Sequence, residues 1–157
     1  MTHHKLDLDE IQSLDPYEVV EHKARQAYDI LKESVLVEDT SLRFMAMGKL
    51  PGTLVKWFLQ EVGTEGLCKV ADTLANRKAV AQVTYGYCDG STVKFISGTT
   101  EGVVAPEPRG EHGMGWDATF IPDGDTRTFA EMTIEELEQY SPRAKAIIEL
   151  KEFLSHD

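Results

Sequence analysis

The sequence predicts a mixed α/β fold, a sheet flanked by helices, and three observations predict it. Tyr17, Val20, Ala24, Ala27, Tyr28 and Leu31 recur at steps of three and four, the spacing of a helix with one apolar face. Ser34 to Glu38 (SVLVE) is a short apolar, β-branched run, as in a buried strand. From Lys78 to Tyr87 the β-branched and aromatic content rises, and Asp89-Gly90 marks a tight turn into a partner strand at Thr92 to Ile96. At 157 residues the chain is expected to form a single domain over 1–157, long enough to bury a core.

Taken in order, Asp15 suits the N-cap of the first helix and Pro16 its first position. The strand that follows ends at an acidic tip, Glu38-Asp39, and α/β sheets place ligands beyond the carboxyl ends of their strands. Leu50-Pro51-Gly52 reads as a turn. A helix from Thr53 to Val62 carries Leu54, Trp57, Phe58 and Val62 as its stripe, and a second short helix covers Thr64 to Leu74. Gly98 to Val104 continues the sheet after a bend, and Ala118 to Ile121 adds a short strand ending at Pro122-Asp123-Gly124. Thr133 to Glu136 has the spacing of a capping box. The last helix starts at Ser141-Pro142 and is expected to turn Ala144, Ile147, Ile148, Phe153 and Leu154 inward.

Charge narrows the function. The net charge is −11, with no Lys/Arg cluster, which excludes nucleic-acid binding through the phosphate backbone. A polyanionic ligand therefore needs local cations or a metal. No apolar run reaches the length of a membrane span, so no membrane partner is expected. Cys68 and Cys88 have no CxxC partner and read as reduced thiols of a cytoplasmic protein. His3-His4 reads as a frayed terminus.

Two stretches carry chemistry: Val37-Glu38-Asp39-Thr40, and the glycine-rich Pro108 to Asp117 with its arginine, tryptophan and aspartate. Magnesium takes one or two protein carboxylates and keeps waters and phosphates as its other ligands. Asp39 suits such a role, with Glu10 as the second carboxylate; Glu38 either shares that work or faces solvent. By residue type alone, Lys23 and Lys56 are solvated surface lysines and Trp57-Phe58 are core. Arg109 is a loop staple or a ligand contact, Trp116 a ligand contact or a packed loop anchor. At least two of Gly110, Gly113 and Gly115 are expected to serve positive φ.

Read together, Leu8-x-Glu10-x-Gln12, Lys23-Ala24, Leu36 to Thr40, Leu50-Pro51-Gly52 with Lys56-Trp57-Phe58, Gly63-x-Glu65-Gly66-Leu67, Gly115-Trp116-Asp117 and Thr128 to Met132 resemble the inosine-triphosphate pyrophosphatase family, enzymes that clear non-canonical purine nucleotides. The resemblance covers about nine tenths of the chain. It implies an elongated, twisted central sheet with a cleft between two lobes. It also implies magnesium-dependent hydrolysis of ITP, dITP or XTP to monophosphate and pyrophosphate. Glu10 and Asp39 would hold magnesium, with Asp39 the catalytic carboxylate. Lys23, Thr40 and Lys56 would meet the triphosphate, and Met114, Gly115, Trp116 and Asp117 the base. Arg143 would donate to the 6-keto oxygen, which a 6-amino group cannot replace as acceptor. A homodimer is implied as well.

The chain departs from the family pattern in several places. The pattern opens with a strand and a T-G-N-x-x-K phosphate loop, and this sequence starts after them. An open sheet edge is expected as a result, with strand exchange in the dimer as one way to fill it. Met114 stands for a phenylalanine, Leu137-Glu138 for Lys-Asn, Pro142 for a histidine and Thr53 for a proline. These losses support a second reading: a catalytically impaired nucleotide-binding or protein-interaction module on the same fold.

Overall fold

In the computed structural model, which describes residues 1–156, five strands build one antiparallel sheet in the order β2-β1-β3-β4-β5. They are β1 (Val35–Phe44), β2 (Pro51–Gly52), β3 (Lys78–Cys88), β4 (Val93–Val104) and β5 (Phe120–Pro122). Helices α1 (Pro16–Leu31), α2 (Val55–Asp72), α3 (Ile134–Leu137) and α4 (Pro142–Ser155) pack around it. The mixed α/β class is as predicted. Because the pairing is antiparallel throughout, no row of carboxyl ends lines up to receive a ligand.

The helix signals translate directly. The Asp15 carboxylate accepts from the Tyr17 N–H, and the Ser141 hydroxyl accepts from the Ala144 N–H, each ahead of a proline in the first turn. Thr133 and Glu136 form the expected capping box, and Thr128 with Glu131 forms another. Asp89 closes the β3–β4 turn by accepting from the Ser91 and Thr92 N–H groups. The two helices expected between Thr53 and Leu74 are one run broken at Gly63, whose φ of 68° and ψ of −176° turn the backbone between two helical halves.

Three expectations fail. Glu38-Asp39 lies in mid-strand, not at a tip, because β1 runs on through Thr40 and Ser41 to Phe44. β4 does not bend at Gly98. That glycine instead admits α4, since a Cβ there would strike the Pro142 carbonyl and come 3.0 Å from the Ala146 nitrogen. Trp57 and Val62, expected in the core, are 54% and 47% exposed, and Ile148 is 67% exposed. Phe58 and Leu59 meet the core from α2, and Ala146 and Leu150 do so from α4.

Cross-strand partners share a face of the sheet. Val35, Val37 and Asp39 pair with Cys88, Gly86 and Thr84 on the face covered by α1; a Cβ on Gly86 would run into Val20 of that helix. Leu36, Glu38 and Thr40 pair with Tyr87, Tyr85 and Val83 on the face covered by α4, where Tyr87 meets Phe153 edge-on. A larger core around Phe44, Phe120, Leu67 and Met132 joins α2 to the far end of the sheet. Among the described residues β2 pairs only with Leu42 and Arg43, so the outer edge of β1 from Val35 to Ser41 faces no strand.

Gly98→Ala is expected to cost about 1–3 kcal/mol by forcing α4 off β4, because the obstacle is backbone. A lower urea midpoint with an unchanged m-value would register it.

Candidate functional site

The parity of β1 divides the acidic pair. Asp39 turns toward α1, where the Lys23 Nζ lies 3.8 Å from its Oδ1. The same amine donates to the Glu38 carbonyl at 2.7 Å, closing the open side of β1 at that point. Lys23 is 13% exposed and Asp39 9%. The surface reading of Lys23 is thus corrected: Ala24 and Ala27 bury that side of α1 and carry the lysine stem in with them.

Asp39 Oδ2 is buried and has no hydrogen-bond partner among the described residues. Burial is the main cause that pushes the Asp39 carboxyl up to about 6; Lys23 opposes the shift, and Glu10 and Glu38 add to it. Glu10 enters from the N-terminal segment, its Oε2 3.9 Å from the Lys56 Nζ at the start of α2. Lys56 is 60% exposed and lies 6.0 Å from the Trp57 ring centroid. Glu10, Lys23, Asp39, Thr40, Lys56 and Trp116 line one cavity of about 460 Å³.

Glu38 turns the other way, to α4. Its carboxylate takes a two-pronged contact from Arg143, 3.0 Å from Nε and 2.7 Å from Nη2. Burial alone would raise the Glu38 carboxyl, but Arg143, Tyr85 and Lys23 outweigh it and hold it below the usual carboxylate range. Glu38 therefore does not face solvent freely; it lines the same cavity as Asp39, with its carboxylate turned to Arg143. Tyr85, directly across from it on β3, is pushed up to about 12, first by burial and then by Glu38.

A second cavity of about 280 Å³ joins the first along Thr40, Gly115 and Trp116. Its lining includes Val83, Met114, Asp117, Phe129 and Arg143. Trp116 is 6% exposed and packs against Phe120 and Phe129, so it anchors the loop and walls both cavities at once. Asp117 accepts from the Met114 N–H at 3.0 Å, and burial raises its carboxyl despite that bond. Met114 itself is 87% exposed. Gly110, Gly113 and Gly115 all have positive φ, from 60° to 92°, which is the conformational reading of this loop. Arg109 is a staple: it pairs with Glu131 at 3.1 Å and donates to the Thr126 carbonyl at 2.7 Å.

The ten residues singled out from the sequence thus fall on two joined cavities. Leu59, Gln60 and Tyr85 were missed, and only strand register and helix docking bring them in. The donor set suits a hard divalent cation. A buried carboxylate oxygen without a partner among the described residues lines a cavity with a second carboxylate, Glu10, and with threonine and glutamine side chains, and two lysines stand by to meet an anionic ligand of the metal. Among the described residues no three His, Cys, Asp or Glu side chains converge, and a magnesium-type site does not need three.

The Ham1 family model matches residues 1–153. The chain belongs to the Ham1 family. It is 48% identical over 149 residues to inosine triphosphate pyrophosphatase 2 of Trypanosoma cruzi, covering 94% of this chain and 76% of that one. It is 46% identical over 157 residues to inosine triphosphate pyrophosphatase of Yarrowia lipolytica, covering 99% and 82%. Among solved structures, the Ham1 protein of Staphylococcus aureus superposes with a TM-score of 0.85 at 25% identity, covering 96% of this chain and 81% of that one. Among the described residues of this Ham1 chain no helix is long and apolar enough to cross a membrane, and both cysteines are free and buried.

A raised carboxyl pKa makes a testable statement about stability. The folded form binds the Asp39 proton more tightly than the unfolded form, so this group favours folding fully below about 4 and the benefit disappears as pH rises through about 6. Asp39→Asn, measured by urea unfolding in EDTA, is expected to be more stable than the parent at pH 7.5 by about 1–3 kcal/mol. The difference should vanish near pH 3.5.

Proposed function

We propose that this chain, acting as one domain, hydrolyses non-canonical purine nucleoside triphosphates (ITP, dITP, XTP) to the monophosphate and pyrophosphate with magnesium. The observation that carries this reading is the buried, unpartnered Asp39 oxygen beside Lys23, at the junction of a polar cavity and an aromatic-walled one. The names of the 46–48% identical relatives support it.

Each residue set has a physical task. Glu10 and Asp39 would hold the magnesium; when bound, it withdraws charge from phosphate oxygens and acidifies water. Lys23, fixed between α1 and β1, and Lys56, mostly exposed at the start of α2 and 3.9 Å from Glu10, would neutralise the phosphate tail on a protein of net charge −11. Asp39, in mid-strand, is rigidly placed to orient an attacking water on the α-phosphorus. Trp116 and Phe129 offer flat apolar walls to a purine, Met114 and Gly115 its rim, and Asp117 and Arg143 the polar groups that read its edge. Met114, largely exposed, covers a ring less firmly than an aromatic side chain would.

Pyrophosphate release from ITP, dITP and XTP, against ATP, tests the reading. We expect release from the keto purines with magnesium, none in EDTA, and a loss of at least about 100-fold in Asp39→Asn. Magnesium should also raise the melting temperature of the parent and leave that of Asp39→Asn unmoved. No release at any protein concentration, together with nucleotide binding, would favour the impaired binding module, for which the absence of a lysine at Leu137 speaks.

The reading includes a homodimer in the cytoplasm, supported by the open edge of β1. Light scattering is expected to give twice the 17.6 kDa chain mass. A monomer at micromolar concentration would remove the dimer from the reading.

A further inference from the structure

The Glu38–Arg143 pair is the best-defined polar contact between the two cavities, and the hydrolytic chemistry leaves it without a task. It joins residues 105 positions apart, from the middle of β1 to the first turn of α4. Both ends are anchored. Glu38 stands over Tyr85, which is 7% exposed and packs with Ala146 and Leu150 of α4. The first turn of α4 is set by the Ser141 cap and by its close approach to Gly98.

The chemistry of the fork decides what Arg143 offers. A guanidinium has five N–H donors and no acceptor. Two go to the Glu38 carboxylate, leaving the others on a group that lines the aromatic-walled cavity and accepts nothing. Arg143 is half exposed and would otherwise sample many rotamers. An unpaired guanidinium at this junction would also be drawn to a triphosphate in the neighbouring cavity. A bidentate carboxylate removes that pull and keeps the remaining donors in one plane.

We propose that Glu38, backed by Tyr85, is a positioning residue that reserves Arg143 for the nucleobase, and so sets the preference for a purine presenting a keto oxygen over one presenting an amino group. The inference rests on the nucleotide reading above. Glu38 borders the polar cavity, but both its carboxylate oxygens are taken by the Arg143 fork, so its effect on the base passes through Arg143.

The test compares the parent with Glu38→Gln, Tyr85→Phe, Arg143→Ala and the Glu38→Gln/Arg143→Ala double variant. Calorimetric affinities for IMP and AMP in EDTA give a readout independent of turnover, and kcat/KM for ITP and ATP gives a second. Glu38→Gln is expected to cut the inosine-over-adenine preference about tenfold, the scale of a weakened charge-assisted hydrogen bond, and Tyr85→Phe, which keeps the ring packed under Glu38, to change it less. In the Arg143→Ala background, Glu38→Gln should change the preference no further, which a general loss of stability would not produce. A preference within twofold of the parent in Glu38→Gln, or an equal further loss without Arg143, overturns the inference. Should Glu38→Gln not fold, an unaltered preference in Glu38→Asp, whose shorter arm cannot keep both Arg143 contacts, overturns it instead. A parent that binds and turns over neither nucleotide brings down the nucleotide reading and this inference together, whereas a selective parent with an equally selective Glu38→Gln brings down the inference alone.

Discussion

Successive side chains of an extended strand point to opposite faces, and β1 uses that constraint to separate a pair of adjacent carboxylates. Asp39 goes to the α1 face and a buried amine; Glu38 goes to the α4 face and a guanidinium. A one-residue slip in the β1–β3 register would exchange them and put each beside the wrong cation. The ten-residue ladder from Val35–Cys88 to Phe44–Ala79 makes such a slip costly, because every apolar partner would change face with them. The rest of the site is hung on this division: α1 delivers Lys23, α4 delivers Arg143, and the Gly115-Trp116 segment closes the seam between their cavities.

The two faces also differ in electrostatic balance. On the α4 side a carboxylate and a guanidinium meet in good geometry, and both carboxylate oxygens are paired. On the α1 side one ammonium serves both a backbone carbonyl and, at a longer 3.8 Å, a carboxylate with a free oxygen. Desolvation outweighs that single long contact, so the region is under-compensated in positive charge. Such an imbalance is tolerable where a ligand restores it, and it is the physical difference between the polar cavity and its neighbour.

Legibility from sequence followed the range of each interaction. The starts of α1 and α4, the Thr133 capping box and the Asp89-Gly90 turn depend on residues within four positions of one another, and all are where the sequence puts them. The strand ending at Glu38 was too short in prediction because Asp39, Thr40 and Ser41 break the apolar run; the polarity belongs to the site, not to a strand end. Lys23 and Trp57 exchanged roles for a tertiary reason. Docking of α1 on β1 and β3 buries the lysine, and the turn at Gly63 leaves the first half of α2 covering the core with Phe58 and Leu59 while Trp57 looks outward. The candidate residues gathered on two joined cavities, yet the Glu38–Arg143–Tyr85 arrangement has no sequence signal short of the strand register itself.

The unpaired outer side of β1 leaves a mark at the level of single amides. The N–H groups of Val35, Val37, Asp39 and Ser41 point into the ladder with β3, whereas those of Leu36, Glu38 and Thr40 point off the sheet, where Lys23 occupies only the Glu38 carbonyl. Protection against deuterium exchange should therefore alternate residue by residue along a strand that is second in the sheet order, a pattern normally confined to the rim of a fold. Any chain segment that comes to lie along β1 would silence the alternation, so the strand carries its own report of whether that flank is covered.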